Sequence, residues 1–295
     1  HPCGVVSICA ELAMHPMNFL LRKMGIPCNS EGTEKISTNI YLMRQVMKEG
    51  GIESPNFILV TENSAIEDIY AATSEFIYPL ICKPVDLSSS RGVFKIEKKE
   101  DLKRALDYAL GWSKEKEVIL EEFIEGPEYS GESIAYKGVY KLLAVTEKHT
   151  TGAPHFVEIG HRQPAPLTLE MLKKIEQILY KAFATMKIQY GAIHPEFRIT
   201  KDGKIYFMEI ATRMGGDCIG TDLTPLSSGY DFMGMVINVC CGKAPDFTKI
   251  YEPKLAENHY VMNQADFDEF NRVRAEEPEI IWRYSTMKPI SDRPV

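Results

Sequence analysis

Two neighbouring segments, GAIHPEFRIT (residues 191–200) and KIYFMEIATR (residues 204–213), decide the fold of this chain. In each segment apolar and polar residues alternate with the period of two that is typical of a strand with one buried face. Between the segments lie Asp202 and Gly203, and Asp-Gly is the dipeptide favoured in a two-residue type I′ turn. The sequence therefore predicts an antiparallel β-hairpin.

This turn sets the register of the hairpin. If Lys201 faces Lys204, Glu196 lies directly opposite Glu209. Two opposed carboxylates repel unless a cation lies between them, as Mg²⁺ does when carboxylates and substrate phosphates hold it. The alternative is a solvated sheet face with two unrelated glutamates. The same register pairs His194 with Ala211 and Arg198 with Phe207, and it places on the apolar face Ile193, Phe197, Ile199, Tyr206, Met208 and Ile210.

Composition and charge limit the classes of function. The chain has 295 residues, 44% hydrophobic and 25% charged, as in ordinary globular domains. A net charge of -7 without a basic stripe argues against a nucleic-acid partner. No apolar run reaches the roughly 18 residues of a membrane span, and no secretory leader pattern opens the chain, so we expect no membrane partner and a cytoplasmic location. The seven cysteines form no CxxC pair and are expected to be reduced.

Short helical and strand-like segments alternate along the chain. The clearest helix is predicted over residues 168–187, where apolar residues recur every three or four positions. Another helix is predicted over residues 37–48. The first residues look like the second half of a βα module, with a strand at Val5–Ile8.

A lysine and a loop of small residues suit the binding of phosphates. Lys83 ends a predicted buried strand. A small-residue loop between strands can fold over phosphates with its backbone N–H groups and hydroxyls. The alternative is an ordinary surface hairpin tip. The loop that follows Lys83 consists of Ser88, Ser89, Ser90, Arg91 and Gly92, before Val93.

A third segment, VILEEFIEGPEYS (residues 118–130), suits a nucleoside. A strand here runs into a Gly126-Pro127 turn, with Glu128 just beyond. Such a segment can present its backbone to an adenine edge and a carboxylate to ribose hydroxyls. The alternative is an acidic surface turn. The residues between strand and turn are Glu121, Glu122, Phe123 and Ile124.

In this order and spacing, five segments together resemble the ATP-grasp superfamily, in the branch of carbamoyl-phosphate synthetase, phosphoribosylglycinamide synthetase and amino-acid ligases. The segments are KPVDLSSSRGV, EEFIEGPEYS, FVEIGHRQPAPL, GAIHPEF and IYFMEIATRMGGD. The resemblance implies an α+β fold, with an ATP-grasp domain over 37–248 and a lid subdomain over about 80–145. It also implies the remnant of a Rossmann-like (pre-ATP-grasp) module in 1–36 and the start of a C-terminal subdomain in 249–295.

The resemblance also implies a role for each matching residue. Lys83 is similar to the lysine that reaches the α-phosphate and adenine, and the loop 88–92 to the flexible loop that covers the phosphates. Residues 121–124 resemble the hinge that reads adenine, and Glu128 the carboxylate that binds ribose. Two carboxylates, Glu196 and Glu209, match the ligands of magnesium, and Arg213 resembles the arginine that neutralises the transferring phosphoryl group.

The family chemistry is an ATP-dependent carboxylate–amine ligation. ATP phosphorylates a small-molecule carboxylate, and an amine attacks the acyl-phosphate, which releases ADP and phosphate. Mg²⁺ is the expected cofactor, with Mn²⁺ as a replacement, and a homodimer is expected because dimers are frequent among relatives. Catalysis then consists mostly of positioning and charge neutralisation. The residues expected to contact substrate are His161, His194, Gly215, Gly216 and Asp217.

Two positions depart from the family pattern. Many relatives carry a lysine that contacts phosphates at the position of Ile40, and an asparagine metal ligand at the position of Ala211. Water can fill the second vacancy, because Mg²⁺ keeps several waters. The departures leave two alternatives open. One is an ATP/Mg-binding module with weak or no ligase turnover, and the other is an ATP-grasp phosphotransferase.

Overall fold

The computed structural model describes residues 3–88, 91–152 and 156–285. The chain divides into two compact units, His1–Glu257 and Asn258–Val295. All of the candidate site residues lie in the first unit. In the described part of the second unit, the α-helix Gln264–Glu276 has its first turn closed by a capping box between Asn263 and Asp266. None of the helices in the described part of the chain combines the length and apolar character that crossing a bilayer requires.

Helices are distributed along the whole described chain. The α-helices are α1 (Met14–Lys23), α2 (Glu31–Thr38), α3 (Ile40–Glu49), α4 (Ile66–Ala72), α5 (Leu102–Trp112), α6 (Leu169–Thr185), α7 (Thr224–Ser228), α8 (Phe232–Cys240) and α9 (Gln264–Glu276). Short 3-10 helices span Glu11–Ala13, Lys99–Asp101 and Pro278–Ile280, and a π-helix spans Ile219–Leu223.

Two antiparallel sheets organise the strands. The strands are β1 (Phe57–Thr61), β2 (Leu80–Pro84), β3 (Phe94–Ile96), β4 (Glu117–Glu122), β5 (Glu128–Tyr136), β6 (Val139–Thr150), β7 (Glu158–Gln163), β8 (Tyr190–Ile199), β9 (Ile205–Ala211) and β10 (Ala256–His259). The small sheet has the order β1-β4-β2-β3, and the large sheet has the order β10-β7-β6-β5-β8-β9. The α+β prediction is confirmed.

Each sheet has its own apolar core. In the small sheet, β2 and β4 pack against α4 and α5 through residues such as Leu80, Leu106 and Leu120. In the large sheet, α6 packs on one face, where Phe183 and Phe197 are fully buried. On the opposite face of the large sheet, α8 packs against Ile134 and Ala192 in a smaller apolar cluster, and polar side chains such as Glu196 lie farther along the same face of β8.

The predicted helices and strands are mostly found within a few residues of their expected bounds. The predicted helix over 37–48 is interrupted at Asn39, because this residue is extended and its side chain accepts a hydrogen bond from Leu42 N at 3.0 Å, as an N-cap does. The strand predicted at Val5–Ile8 is wrong, because no neighbouring strand in the described residues pairs with it. The Ile8 carbonyl instead accepts a hydrogen bond from Met214 N at 3.0 Å.

The predicted hairpin is present, and the pairs Glu196–Glu209 and His194–Ala211 are confirmed. The turn is different, because Thr200 pairs with Lys204 and leaves a three-residue loop, 201–203, instead of two residues. A bulge after Glu196 adds one residue on β9 and restores the expected pairing. The longer loop and the bulge shift the register in opposite directions, so Glu196 faces Glu209 as predicted.

Between the bulge and the loop the register differs from the prediction by one residue. Arg198 faces Tyr206, so its predicted pairing with Phe207 is wrong. Phe207 and Ile205 belong to the core, at 2% and 4% exposure, and replace Tyr206 and Met208 on the apolar face. A shift of one residue moves a side chain to the opposite face of a strand.

The predicted domain bounds at 36/37 and 248/249 and the lid over about 80–145 stay predictions. The Rossmann-like remnant also stays a prediction. The long β5–β6 hairpin was not expected from the sequence. Because almost every residue of β5 is buried, this strand lacks the alternation that predicts a half-exposed strand.

Gly126 gives a test of this packing. Its φ is +153°, and a Cβ atom there would collide with the Ile199 carbonyl oxygen. We expect Gly126→Ala to lower the free energy of unfolding by about 1–3 kcal/mol in urea titrations. The matched control is Gly111→Ala in α5, where a Cβ meets open space and alanine should stabilise by about 0.5–1 kcal/mol. Equal effects of the two substitutions would contradict the proposed close approach.

Candidate functional site

The polar face of the large sheet carries a buried lysine among three carboxylates. Lys148 Nζ lies 3.2 Å from Glu128 Oε1, 2.8 Å from Glu158 Oε1 and 2.9 Å from Glu196 Oε2. The lysine side chain is only 2% exposed. Burial lowers the pKa of Lys148, but the three carboxylates outweigh burial and raise it well above its ordinary value. We call these four residues the lysine cluster.

His194 joins the lysine cluster to a second buried carboxylate. Its Nδ1 contacts Glu132 Oε1, and its Nε2 lies 3.2 Å from Glu196 Oε1. Burial lowers the pKa of His194, but the two carboxylates raise it to about 9. Glu132 is fully buried, and its other oxygen accepts a hydrogen bond from Gly215 N at 3.1 Å. The network therefore links the hairpin to the glycine loop that follows Arg213.

Glu209, opposite Glu196, is electrostatically unsatisfied. Its Oε1 atom is buried and has no hydrogen-bond partner among the described residues. Arg213 Nη2 lies 3.9 Å away, which is too long for a hydrogen bond. Burial raises the pKa of Glu209, and Glu11 and Glu196 raise it further, to about 8. An acceptor oxygen in this position suits a cation.

These observations test whether the residues fit magnesium. No group of three or more His, Cys, Asp and Glu side chains within residues 3–88, 91–152 and 156–285 forms a metal site by itself. Glu196 already contacts Lys148 and His194, but each carboxylate oxygen has two lone pairs. The pair fits an ion that takes two carboxylates and completes its shell with phosphate oxygens and water, as Mg²⁺ does.

A second buried ion-pair network lies where the small sheet meets the hinge. Glu121 Oε1 lies 2.7 Å from Lys83 Nζ, and Glu121 Oε2 lies 2.8 Å from Arg44 Nε. Burial raises the pKa of Glu121, but the two cations outweigh burial and lower it to about 2. Arg44 also donates to the Met208 carbonyl at 3.3 Å, at the bulge. Arg44 therefore connects α3, the hinge and the hairpin.

The hinge residues point in different directions. The Glu122 carboxylate accepts backbone hydrogen bonds from Ile77 N at 2.8 Å and from Asn56 N at 3.2 Å, so the contacts of its side chain are structural. The Ile124 carbonyl accepts a hydrogen bond from Arg198 at 2.9 Å. Phe123 N donates to the Pro79 carbonyl at 3.0 Å. The hinge is thus held from both sides.

The predicted phosphate loop is described only in part, because Ser89 and Ser90 lie outside the described residues. Arg91 Nε donates to the Ser88 carbonyl at 3.1 Å. Gly92 has a φ of +73° and packs against Pro84 and Trp112 so closely that a Cβ atom would lie 2.8 Å from either. The loop therefore requires glycine at its end.

The predicted substrate residues occupy different environments. His161 is fully buried, and its Nε2 lies 2.9 Å from Glu158 Oε2, behind the lysine cluster. Gly215 packs directly against Glu132. Gly216 has open space where a side chain would be, and Asp217 is exposed with a φ of +50°. The structure brings His194 and Gly215 together, whereas Asp217 faces solvent.

Five residues of the site were missed by sequence reasoning: Lys148, Glu132, Glu158, Arg44 and Arg198. Lys148 lies in the segment VTEKHT (residues 145–150) on a strand that the sequence analysis did not predict. A lysine near the end of a β-branched, apolar run was the available signal, since a lysine that the fold buries needs ionic partners.

The match to a known family follows this geometry. Residues 76–222 match a family model described as an ATP-grasp domain. The chain belongs to the ATP-grasp superfamily. The predicted resemblance is confirmed. The two antiparallel sheets together are the ATP-grasp fold, and the polar face of the large sheet lies on strands β6, β5, β8 and β9.

Individual relatives agree with this assignment. The alanine–anticapsin ligase of Bacillus subtilis is 29% identical over 260 residues, which cover 80% of this chain and 54% of that protein. The L-amino acid ligase of Bacillus licheniformis has a TM-score of 0.75 at 23% identity, covering 88% of this chain and 62% of that one. The biotin carboxylase domain of a Hydrogenobacter thermophilus carboxylase, in complex with MgADP, has a TM-score of 0.68 at 20% identity, covering 79% and 52%. The chain spans about half the length of the curated relatives it matches, 50% and 54% for the first two.

The two departures of this ATP-grasp chain lie in buried positions. Ile40 is 9% exposed and belongs to the core beside α6, and its N–H donates to the Val85 carbonyl at 3.0 Å. Ala211 is 1% exposed and faces His194. A lysine in place of Ile40 would be buried in an apolar cluster, so restoring the family residue there carries a cost in stability.

The Glu121 network gives a test by pH. At neutral pH we expect Glu121→Gln to destabilise by about 3–5 kcal/mol, because Arg44 and Lys83 lose their buried partner. The pKa of Glu121 falls from 4.5 unfolded to about 2 folded. Its stabilising contribution is therefore complete above about pH 5 and is lost as the pH falls from 4.5 towards 2.

Urea titrations of both proteins between pH 7 and pH 3 measure this difference. The gap between wild type and Glu121→Gln should shrink steadily below about pH 4.5. The control is Glu115→Gln at an exposed position, where the gap should stay near zero throughout. A gap for Glu121→Gln that does not change with pH would contradict the ion-pair assignment.

Proposed function

We propose that this chain carries the active site of an ATP-dependent carboxylate–amine ligase that works through an acyl-phosphate. The observation that carries the proposal is the opposed pair Glu196 and Glu209, in which the buried Glu209 Oε1 has no hydrogen-bond partner among the described residues and lies 3.9 Å from Arg213 Nη2. Such a pair is costly without a cation, and the neighbouring Arg213 suits a phosphate oxygen.

In this proposal ATP lies between the two sheets. Lys83, whose side chain is 12% exposed, contacts the phosphates and the base, and the hinge 121–124 contacts the adenine edge. Glu128 accepts the ribose hydroxyls, and the loop 88–92 covers the phosphates. Glu196 and Glu209 would hold Mg²⁺, which would supply positive charge to neutralise the phosphates. ATP and Mg²⁺ are the ligands of related folds, as the MgADP complex illustrates.

The side chains of the protein then position the substrates and neutralise the charge of the transferring phosphoryl group. Arg213 has a buried Nε without a hydrogen-bond partner among the described residues, which suits an oxygen of the transferring phosphoryl group. The substrate carboxylate attacks the γ-phosphorus in line, and the bond to the β–γ bridging oxygen breaks to release ADP. The amine then attacks the acyl carbon and phosphate leaves. No side-chain nucleophile is needed, and catalysis is electrostatic.

The finer parts of this proposal concern substrates and assembly. We propose a small-molecule carboxylate and a small-molecule amine as substrates, with residues 214–217, next to His194 and Glu132, on the substrate side. Mn²⁺ replaces Mg²⁺ in the same shell, because it also accepts oxygen ligands. A homodimer and a cytoplasmic location complete the proposal.

A second candidate function is a nucleotide-binding module with weak or no turnover. It is favoured by the burial of Ile40 and Ala211, which supply neither the phosphate contact nor the metal ligand of many relatives. A phosphotransferase is the third candidate. Incubation of the full-length protein with ATP, Mg²⁺, pools of small acids and hydroxylamine separates the three. Acceptor-dependent ADP with a hydroxamate supports the ligase, ADP without hydroxamate supports the phosphotransferase, and ATP binding without ADP supports the module.

Glu209→Gln tests the metal assignment. It keeps the side-chain shape and removes the charge that the cation needs, so we expect Mg²⁺-dependent ADP release to fall by at least about 100-fold with the fold retained. Glu170→Gln, an exposed residue in the first turn of α6, is the matched control and should keep wild-type turnover. Unchanged turnover in Glu209→Gln would rule out Glu209 as a metal ligand.

A further inference from the structure

Arg198 makes an unusually complete set of contacts with the hinge and with Glu128. Its Nη1 donates to the Ile124 carbonyl at 2.9 Å. Its Nε and Nη2 donate to Glu128 Oε2 at 3.2 and 3.0 Å. The arginine side chain is 10% exposed, so these charge-assisted bonds are shielded from water.

Two aromatic rings hold the plane of the guanidinium. Its central carbon lies 4.8 Å from the centroid of the Phe123 ring and 5.3 Å from that of the Phe156 ring. The two rings are 5.8 Å apart and inclined by 32°. Stacking and bidentate bonding both require a planar group, so lysine cannot reproduce this arrangement.

The position of Arg198 on the sheet ties the nucleoside end of the site to the metal end. Arg198 and Glu196 lie two residues apart on β8, on the same face of the strand. In the register of β5 and β8, Arg198 faces Glu128 directly. The other Glu128 oxygen contacts Lys148, which also contacts Glu196. Two cations therefore fix the carboxylate of Glu128 from both sides.

We propose that Arg198 is a positioning residue for the nucleoside: it holds the Ile124 peptide and the Glu128 carboxylate in one geometry before the nucleotide binds. Glu128 Oε2 accepts both bonds from Arg198, and Oε1, which contacts Lys148, keeps one lone pair that can accept a ribose hydroxyl. The gain is preorganisation, because the hinge and the carboxylate are ordered in the free protein and the nucleotide does not have to order them. The proposal rests on the nucleotide-binding part of the proposed function and does not depend on ligase turnover.

This role predicts that substitution of Arg198 weakens ATP binding and leaves turnover at saturating ATP nearly unchanged. Arg198→Lys keeps the charge but loses the planar fork, so Glu128 and the hinge are no longer held together. We expect the Kd for ATP to rise about tenfold or more, as expected when charge-assisted hydrogen bonds are lost. The kcat at saturating ATP should stay within about twofold, because the metal ligands and Arg213 are untouched.

The deciding measurement is ribose discrimination, the ratio of the Kd for a deoxy nucleotide to the Kd for ATP. A purely structural role of Arg198 would leave this ratio unchanged. Calorimetry with the full-length protein gives the Kd for ATP, 2′-deoxy-ATP and 3′-deoxy-ATP in Mg²⁺. Wild type should bind at least one deoxy nucleotide more weakly than ATP, and Arg198→Lys should bring that ratio close to one. Arg272→Lys, in the exposed ion pairs of α9, is the matched control and should leave both Kd and ratio unchanged.

Each result supports or overturns the proposal. A folded Arg198→Lys with unchanged Kd for ATP, or with weaker binding of all three nucleotides at an unchanged ratio, overturns the positioning role while nucleotide binding stands. Absence of ATP binding in wild type overturns both the role and the nucleotide site. Binding without hydroxamate formation in wild type overturns the ligase alone, and the Arg198→Lys ratio then decides the positioning role by itself.

Discussion

The buried ammonium of Lys148 is the interaction on which the rest of the site depends. Three carboxylates, Glu128, Glu158 and Glu196, converge on it from three strands of the large sheet. Without a cation between them these groups would repel in a medium that screens charge poorly. Because the cluster still carries an excess of negative charge, it also attracts the further cations that a nucleotide brings.

Charge is distributed unevenly along this face. Glu196 contacts both Lys148 and His194, whereas Glu209, one strand away, has a buried oxygen without a hydrogen-bond partner among the described residues. At the opposite end, Arg198 and Arg44 hold the hinge through Glu128 and Glu121. At one end of the large sheet, the charge of Glu128 is paired with Arg198, and this end suits a nucleoside. At the other end, the charge of Glu209 is less well paired, and this end suits a divalent ion. A fixed arrangement of charges of this kind is what a preorganised site requires.

Local sequence and tertiary packing contribute separately to the hairpin. The Asp-Gly turn and the alternation were enough to predict two facing strands, and the carboxylate pair was predicted correctly. The prediction assumed a two-residue turn, but the structure has a three-residue loop and a compensating bulge at Met208. The bulge lies where Arg44 binds the Met208 carbonyl. A distant helix therefore meets the hairpin at the point where its register shifts, and no local pattern reveals that contact.

The sequence by itself determined the long helix α6, the facing strands of the hairpin and the pair Glu196–Glu209, because turn chemistry and periodicity are local properties. It did not reveal β5, whose residues are buried on both faces and therefore do not alternate, or its hairpin partner β6, which is buried only in its middle. Lys148, Glu132 and Arg198 acquire their partners only when β6, β5 and β8 become neighbours. Only the tertiary structure decided these contacts, because strand pairing across many residues depends on the whole core and not on the pattern of any one segment.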